Sequence, residues 1–304
     1  MVIAGGGIVE PRPESCLNRA FEIAEASPGL ELRALAVSVE PGVRFSWRQR
    51  LRLRDQLAGL GPVAVRDVLS GRVLQLIAPD HPIRVVGDIA LWTEPGDIPP
   101  EIAADVPDEA IAVILQNQWQ SQTFFNWMAD ELAAIAREKE RAILLLPFAR
   151  YGSKDGVTHN RLRDALDKRA PDVSVVWPGE TLPPEAVTHG IAAAILARAS
   201  LCVSMRLHGC VVAYSQKTPF VGLAYHPKLR GFFETVGWER ALVPTRLPKR
   251  QSKDVYGFSF EDLTLEGGDL LKAARQVEYF EDFSGIAFWR ARQLEFVREI
   301  FGAA

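Results

Sequence analysis

Residues 201–209 read LCVSMRLHG, and residues 220–228 read FVGLAYHPK. Each stretch begins as a short apolar run and ends in polar residues, directly before a segment with helical spacing. This alternation of buried strand and helix is typical of βαβ units, in which the strands of one sheet run parallel. The two stretches therefore predict consecutive strands of a parallel sheet whose polar ends lie at the same edge.

The same alternation extends along the chain of 304 residues. A polar, proline-rich stretch at 93–107 interrupts it and is the best candidate for a linker. We therefore predict an α/β protein with an N-terminal Rossmann-like domain at 1–98 and a C-terminal Rossmann-like domain at 108–280. A helical segment at 281–304 is expected to pack across both domains. In sheets of this class, ligands bind at the carboxyl ends of the strands.

Composition argues against several classes of function. The formal net charge of -3 is unlike that of a general nucleic-acid binder. No stretch approaches the roughly 20 apolar residues that cross a bilayer, and the first residues lack the basic region of a signal peptide. Three cysteines and five histidines show no metal-ligand spacing. We predict a protein without a metal or cofactor, and a cytoplasmic setting fits the sparse cysteines.

The most informative polar residues are Arg206, His208 and Lys228, each at the start of a helix that follows a strand. A helix N-terminus offers free backbone N–H groups and a positive dipole end, so a guanidinium and an imidazole beside it suit a phosphate or a carboxylate. Taken singly, such an Arg or Lys is usually a solvated surface charge, and such a His is usually a structural residue. Their occurrence in two successive turns favours an anion site.

Residues 204–209 (SMRLHG), 218–228 (TPFVGLAYHPK) and 232–237 (FFETVG) resemble the C-terminal signature of the polysaccharide pyruvyl transferase family. Weaker similarity extends to the N-terminal half, at 3–7 (IAGGG), 65–70 (VRDVLS) and 86–88 (VGD). The likeness therefore spans most of the chain, and its C-terminal block is the specific part.

The resemblance implies a GT-B-like fold, in which two Rossmann-like domains with parallel sheets face a cleft. It implies transfer of a pyruvyl group, as a ketal, from phosphoenolpyruvate to a sugar of a polysaccharide such as an exopolysaccharide, or of its precursor. The acceptor in this family can be lipid-linked. On this likeness Arg206 and His208 contact the donor phosphate or carboxylate and are the catalytic candidates, while Lys228 adds positive charge.

Three further positions are candidates for substrate binding. Gly6 and Gly7 belong to the triple glycine, which would let the backbone approach a ligand or would form a tight structural turn. Asn117 lies where the family often carries a donor-binding arginine, and 115–119 (LQNQW) contains none. The chain departs from the family pattern twice more. His226 replaces the usual aspartate before Pro-Lys. The family usually has a further strand before the triple glycine, at which this chain starts, so we expect a shortened or truncated N-terminal domain.

Ketal transfer also needs a group that deprotonates the acceptor, and Glu10, Asp67 and Asp88 are candidates by their position after strands, although helix caps and surface charges occur more often at such positions. The basic loop at 148–156 would cover the substrate or be solvated. Two other functions stay open. Arg206 and Lys228 could hold the diphosphate of a nucleotide sugar in a GT-B glycosyltransferase, or the chain could be a non-catalytic relative.

Overall fold

A computed structural model describes residues 1–5, 7–10, 15–40, 45–116, 121–148, 155–177, 187–224, 226–244, 268–278 and 282–302. The chain divides into two compact units. The first comprises Met1–Leu91, His226–Gly237 and Ser284–Ala304, and the second comprises Trp92–Tyr225 and Trp238–Phe283. Each unit contains one sheet, and the strand pairs of both sheets are parallel.

The sheet of the first unit has five strands: β1 (Val2–Ala4), β2 (Gly7–Val9), β3 (Arg33–Val39), β4 (Val63–Val65) and β5 (Ile83–Val85). Their order is β1-β3-β4-β5, and β2 also pairs with β3. The strands β1 and β2 follow each other along β3, and Gly5 between them has a φ of 70°. Glycine adopts this left-handed conformation without a Cβ clash, which suits Gly5 to its position after β1.

Three helices of this unit begin at side-chain caps: α1 (Cys16–Glu25) at Ser15, α2 (Trp47–Ala58) at Ser46 and α3 (Val68–Ile77) at Asp67. A 3-10 helix covers Ile89–Trp92. Aliphatic side chains of β3, β4 and these helices form the buried core, with Val63 and Val65 almost fully covered.

The sheet of the second unit has six strands: β6 (Ile111–Ile114), β7 (Ile143–Leu145), β8 (Val175–Val176), β9 (Leu201–Ser204), β10 (Phe220–Ala224) and β11 (Leu242–Pro244). Their order is β11-β10-β9-β6-β7-β8. The chain thus builds outward from β6 on one side and then from β9 on the other. This reversal of strand order between β6 and β9 is the kind of switch point at which ligands bind in open α/β sheets.

The helices of the second unit are α4 (Pro100–Ala103), α5 (Gln122–Lys139), α6 (Asp155–Arg169), α7 (His189–Arg198), α8 (Leu207–Ser215) and α10 (Asp269–Glu278). Two further helices belong to the first unit: α9 (Pro227–Val236), which follows β10 in the chain, and α11 (Gly285–Phe301). The helix α9 packs on α3, where the backbone N–H of Val68 donates to Oγ1 of Thr235 at 3.1 Å. The predicted packing of 281–304 across both domains stays a prediction.

The alternating pattern predicted most of these elements at their observed positions, including β9, α8 and β10. It missed β2 and β11, which are only three residues long. The loop expected at 148–156 was wrong in part, because Asp155 and Gly156 begin α6; a carboxylate in the first turn stabilises a helix N-terminus. Within the described residues, no helix combines the length and apolar character that a membrane span requires.

Candidate active site

The turn between β9 and α8 carries the candidate site of the second unit. Ser204 closes this turn, because its Oγ accepts from the backbone N–H of Arg206 at 3.0 Å and donates to the carbonyl of Arg206 at 2.8 Å. Gly209 makes the tight turn possible. A Cβ at that position would lie 2.4 Å from Oγ of Ser204 and 3.0 Å from Cδ1 of Ile114. The sequence SMRLHG therefore combines a hydroxyl that shapes the turn, a glycine that gives it room and the side chains of two candidate residues, Arg206 and His208.

Arg206 is the N-cap residue of α8, and its guanidinium forms an ion pair with Asp155 through Nη2 and Oδ1. The carboxylate of Asp155 is fully buried, whereas 19% of the Arg206 side chain is exposed. The other carboxylate oxygen, Oδ2, accepts from the backbone N–H of Phe148 at 3.4 Å. A buried carboxylate thus holds a cation whose side chain still reaches solvent.

His159 lies one helical turn beyond Asp155 on α6 and is completely buried. Its Nε2 accepts from the backbone N–H of Leu115 at 3.3 Å, directly after β6, and its ring lies edge-on to Trp177 with 5.0 Å between centroids. Burial, reinforced by the charge of Arg206, lowers the pKa of His159 to about 3. The ring is therefore neutral, with its proton on Nδ1, and adds no charge beside the guanidinium.

His208 sits in the first turn of α8 and is exposed. Its ring lies 6.3 Å from that of His189, which in turn packs edge-on to Phe148 at 5.7 Å. Arg206 and His208 thus share one turn in different surroundings: the arginine is held by a buried carboxylate and the histidine is open to solvent.

Lys228 belongs to the first unit, on α9, and its Nζ lies 2.5 Å from Oε2 of Glu40. Glu40 follows β3 and is buried. The ring of His226 caps α9: its Nδ1 accepts from the backbone N–H of Lys228 at 3.2 Å, and its Nε2 lies 3.5 Å from Oε1 of Glu40. Histidine here performs the capping role for which aspartate is well suited. The predicted contact of Lys228 with the donor stays a prediction.

Burial, followed by the charge of Lys228, lowers the pKa of His226 to about 4, although Glu40 acts in the opposite direction. The ring is therefore neutral near pH 7, like that of His159. A neutral ring with Nδ1 as acceptor carries its proton on Nε2, which faces the Glu40 carboxylate.

Other carboxylates lie at the carboxyl ends of β4 and β5. Oδ1 of Asp67 accepts from the backbone N–H of Ser70 at 2.8 Å, and Oδ2 lies 3.2 Å from Nε of Arg66. Oδ1 of Asp88 accepts from the backbone N–H of Ala90 at 2.9 Å. Both carboxylates cap helices, as the sequence suggested for such positions. Glu10 directly follows β2.

The structure leaves some predicted positions undescribed. Gly6 and Asn117 lie outside the described residues, as do residues 149–154 of the basic loop, while Gly7 is the first residue of β2. Among the residues described, no group of three or more His, Cys, Asp or Glu side chains could hold a metal ion. Sequence reasoning missed Asp155, His159 and Glu40, since no local pattern distinguishes them from ordinary helix and loop residues.

Comparison with known proteins places this geometry in context. The chain resembles a putative UDP-N-acetylglucosamine 2-epimerase from Listeria monocytogenes at 12% identity, with a TM-score of 0.57, over 92% of this chain and 70% of that one. It also resembles UDP-GlcNAc 2-epimerase from Methanocaldococcus jannaschii, solved with UDP-GlcNAc and UDP, at 14% identity and a TM-score of 0.51, over 90% and 78% of the two chains.

Similarity at such low identity establishes the fold, and the predicted GT-B-like α/β class is confirmed. None of the curated proteins compared with the chain matches it. The family model described as polysaccharide pyruvyl transferase matches residues 1–227, about three quarters of the sequence and including the β9–α8 turn. The chain therefore belongs to the polysaccharide pyruvyl transferase family.

Proposed function

We propose that this chain transfers the pyruvyl group of phosphoenolpyruvate to two hydroxyls of a sugar, in a polysaccharide or its precursor, to form a ketal. The observation that carries the proposal is Arg206, a cation held by buried Asp155 at the switch point between β6 and β9. Membership of a pyruvyl transferase family supports the reaction class. The free thiols of Cys16, Cys202 and Cys210 agree with a cytoplasmic setting, and the sugar acceptor is either free or lipid-linked.

The reaction balances without an oxidant or a further substrate. The two acceptor hydroxyls form two C–O bonds to the central carbon of the donor, and the bond from that carbon to the phosphate oxygen breaks. One hydroxyl proton ends on the methylene carbon, which becomes a methyl group, and the other leaves with the phosphate. The protein must therefore hold a trianionic donor, deliver a proton to carbon and accept protons from the acceptor.

Arg206 suits the first task. A guanidinium binds a carboxylate or phosphate through paired hydrogen bonds, and the start of a helix such as α8 favours anions beside it. A cationic site that is already in place before the substrate arrives does not need to reorganise as charge moves from the donor carbon to phosphate.

His208 is the group to which we assign proton delivery. It is exposed, so it can exchange protons with solvent and substrate. His159, which is also near Arg206, is buried and has its pKa lowered to about 3, so it carries no extra proton near neutral pH. An exposed imidazole is a common general acid and base in enzymes.

The acceptor requires a base, and we propose a carboxylate for this role. Asp67 and Asp88 already cap helices, whereas both oxygens of Glu40 face side chains, Lys228 and His226. Glu40 is buried and already paired with Lys228, so Glu10, Asp67 and Asp88 remain the proposed candidates for the base.

Calorimetric titration of phosphoenolpyruvate into the wild type and into Arg206→Ala tests the donor site. We expect the wild type to bind phosphoenolpyruvate and the variant to bind it about 100-fold more weakly, a loss of about 2.7 kcal/mol in binding free energy. Arg169→Ala is the control, since Arg169 is exposed at the far end of α6 and pairs with Asp130. UDP-GlcNAc that binds in place of phosphoenolpyruvate would favour a nucleotide-sugar enzyme. A folded chain that binds neither compound, with or without acceptor oligosaccharide, would favour a non-catalytic relative.

A further inference from the structure

Asp155 and Arg206 meet across the carboxyl end of β6. Arg206 follows β9 and Asp155 begins the helix after β7, and β6 lies between these two strands in the sheet. The ion pair therefore directs the arginine side chain along the sheet edge, over the end of the central strand. A guanidinium in this place lies at the switch point itself.

The burial of the ion pair indicates that Asp155 serves to orient Arg206 more than to stabilise the fold. Asp155 has no exposed surface, and its second oxygen is committed to the backbone N–H of Phe148. Removing a carboxylate from water is costly, and apolar replacements of buried ion pairs are often neutral or stabilising. A buried anion that holds a partly exposed cation is thus better explained by a function of the cation than by a gain in stability.

The guanidinium keeps donors that Asp155 does not use. Its Nη2 donates to Asp155, whereas its Nε is buried and has no hydrogen-bond partner in the described part of the chain. Nδ1 of His159 is likewise buried and without a partner among the described residues. Since buried donors without acceptors are rare in folded proteins, Nε of Arg206, on a side chain that still reaches solvent, points to an acceptor supplied by a ligand.

We propose that Asp155 is a positioning residue, which orients the Arg206 guanidinium toward an anionic group of the substrate. The identity of that substrate as phosphoenolpyruvate rests on the proposed function, but the orientation of Arg206 does not. Asp155 acts only through Arg206 and touches no substrate atom.

The direction in which Asp155→Asn changes the affinity for phosphoenolpyruvate distinguishes a positioning role from a simple electrostatic effect. Asp155→Asn removes a negative charge close to an anion site, and Coulomb's law alone would then strengthen the binding of phosphoenolpyruvate. If Asp155 orients Arg206, the affinity falls instead, by about tenfold, because a charge-assisted hydrogen bond no longer holds the guanidinium. Asp130→Asn is the matched control. Asp130 pairs on the surface with Arg169, which belongs to α6 as Asp155 does.

A double-mutant cycle shows whether the effect passes through Arg206. We expect Asp155→Asn to weaken donor binding in the wild-type background and to leave residual binding unchanged in an Arg206→Ala background. An equal loss in both backgrounds would mean a general structural role and would overturn the proposal. Unchanged or tighter binding of phosphoenolpyruvate in Asp155→Asn would also overturn the proposal. In that case, binding of phosphoenolpyruvate to the wild type would still support the proposed function.

A measurement without ligand tests directly whether Asp155 restrains the Arg206 guanidinium. NMR of ¹³C,¹⁵N-arginine-labelled protein reports the rotation of the Arg206 guanidinium about its Nε–Cζ bond. Slow rotation in the wild type, faster in Asp155→Asn, supports positioning even if phosphoenolpyruvate does not bind and the proposed function fails. Fast rotation in the wild type overturns the inference, and this result needs no variant that must fold.

Discussion

Lys228 forms a 2.5 Å ion pair with Glu40, and both residues belong to the first unit of the chain. Only 6% of the Glu40 side chain is exposed, compared with 26% for Lys228. The lysine of the His-Pro-Lys turn therefore already neutralises a buried carboxylate, which limits the charge it can offer to another anion. This contact could not be inferred from the spacing of the two residues in the sequence.

We expect Lys228→Ala to destabilise the protein more than it weakens donor binding. Removing the lysine leaves Glu40 buried without its cation, at a cost of about 2 kcal/mol once the partial exposure of the pair is allowed for. Urea unfolding measures the stability. Lys228→Ala combined with Glu40→Gln should recover part of it. A tenfold loss of phosphoenolpyruvate affinity at unchanged stability would instead support the predicted donor contact.

His226 should make the protein sensitive to acid. Its folded-state pKa of about 4 lies below the unfolded value of about 6.5, so the unfolded chain binds the proton more readily between these values. Stability that is fully present above pH 6.5 is therefore lost as the pH falls toward 4, by up to about 3 kcal/mol. We expect His226→Asn, which can still cap α9, to reduce this slope in unfolding experiments at pH 4.5 and 7.

An unchanged pH slope in His226→Asn would mean that another group causes the acid sensitivity. His159, whose pKa is lowered to about 3, is the next candidate, and its effect would be expected in the second unit.

Glu131 anchors α10 from the middle of α5. Its buried carboxylate accepts from the backbone N–H groups of Gly268, of Leu270 at 3.1 Å and of Leu271 at 3.0 Å. We expect Glu131→Ala to cost about 2 kcal/mol, because three helix N-terminal donors lose a charged acceptor. Hydrogen exchange at Leu270 and Leu271 should accelerate.

The control for this prediction is Glu138→Ala, which removes a surface partner of Arg275 on the same pair of helices. It should leave exchange at Leu270 and Leu271 unchanged. Slow exchange that persists in Glu131→Ala would show that other groups hold the start of α10.

Gly209→Ala should damage the β9–α8 turn. The added Cβ would overlap Oγ of Ser204, and relieving this overlap displaces the hydroxyl that closes the turn around Arg206. We expect a loss of about 2 kcal/mol in unfolding free energy together with weaker binding of phosphoenolpyruvate. Gly156→Ala on α6 is the control, because its Cβ would lie 3.9 Å from Trp177, an ordinary contact. Wild-type affinity in Gly209→Ala would show that the turn tolerates the displacement.

The β9–α8 turn with its candidate residues could be located from the sequence, and the partners of those residues could not. Arg206 and His208 were recognisable because a short apolar strand, a turn and a helix are encoded by adjacent residues. Asp155 and His159 were not predicted, because local sequence does not identify an aspartate or a histidine as the neighbour of an arginine some fifty positions later. The start of α6 was also misjudged, since a glycine at 156 reads locally as a loop residue.

Local pattern and family signature were thus enough to determine the α/β class, the parallel sheets, the β9–α8 turn and membership of the pyruvyl transferase family. The tertiary structure alone decided that Asp155 holds Arg206, that His159 is buried and neutral, and that Lys228 pairs with Glu40 in the first unit. The physical reason is that periodicity and capping act over a few residues. Ion pairing and desolvation depend instead on which distant strands end side by side, and only the folded sheets determine that.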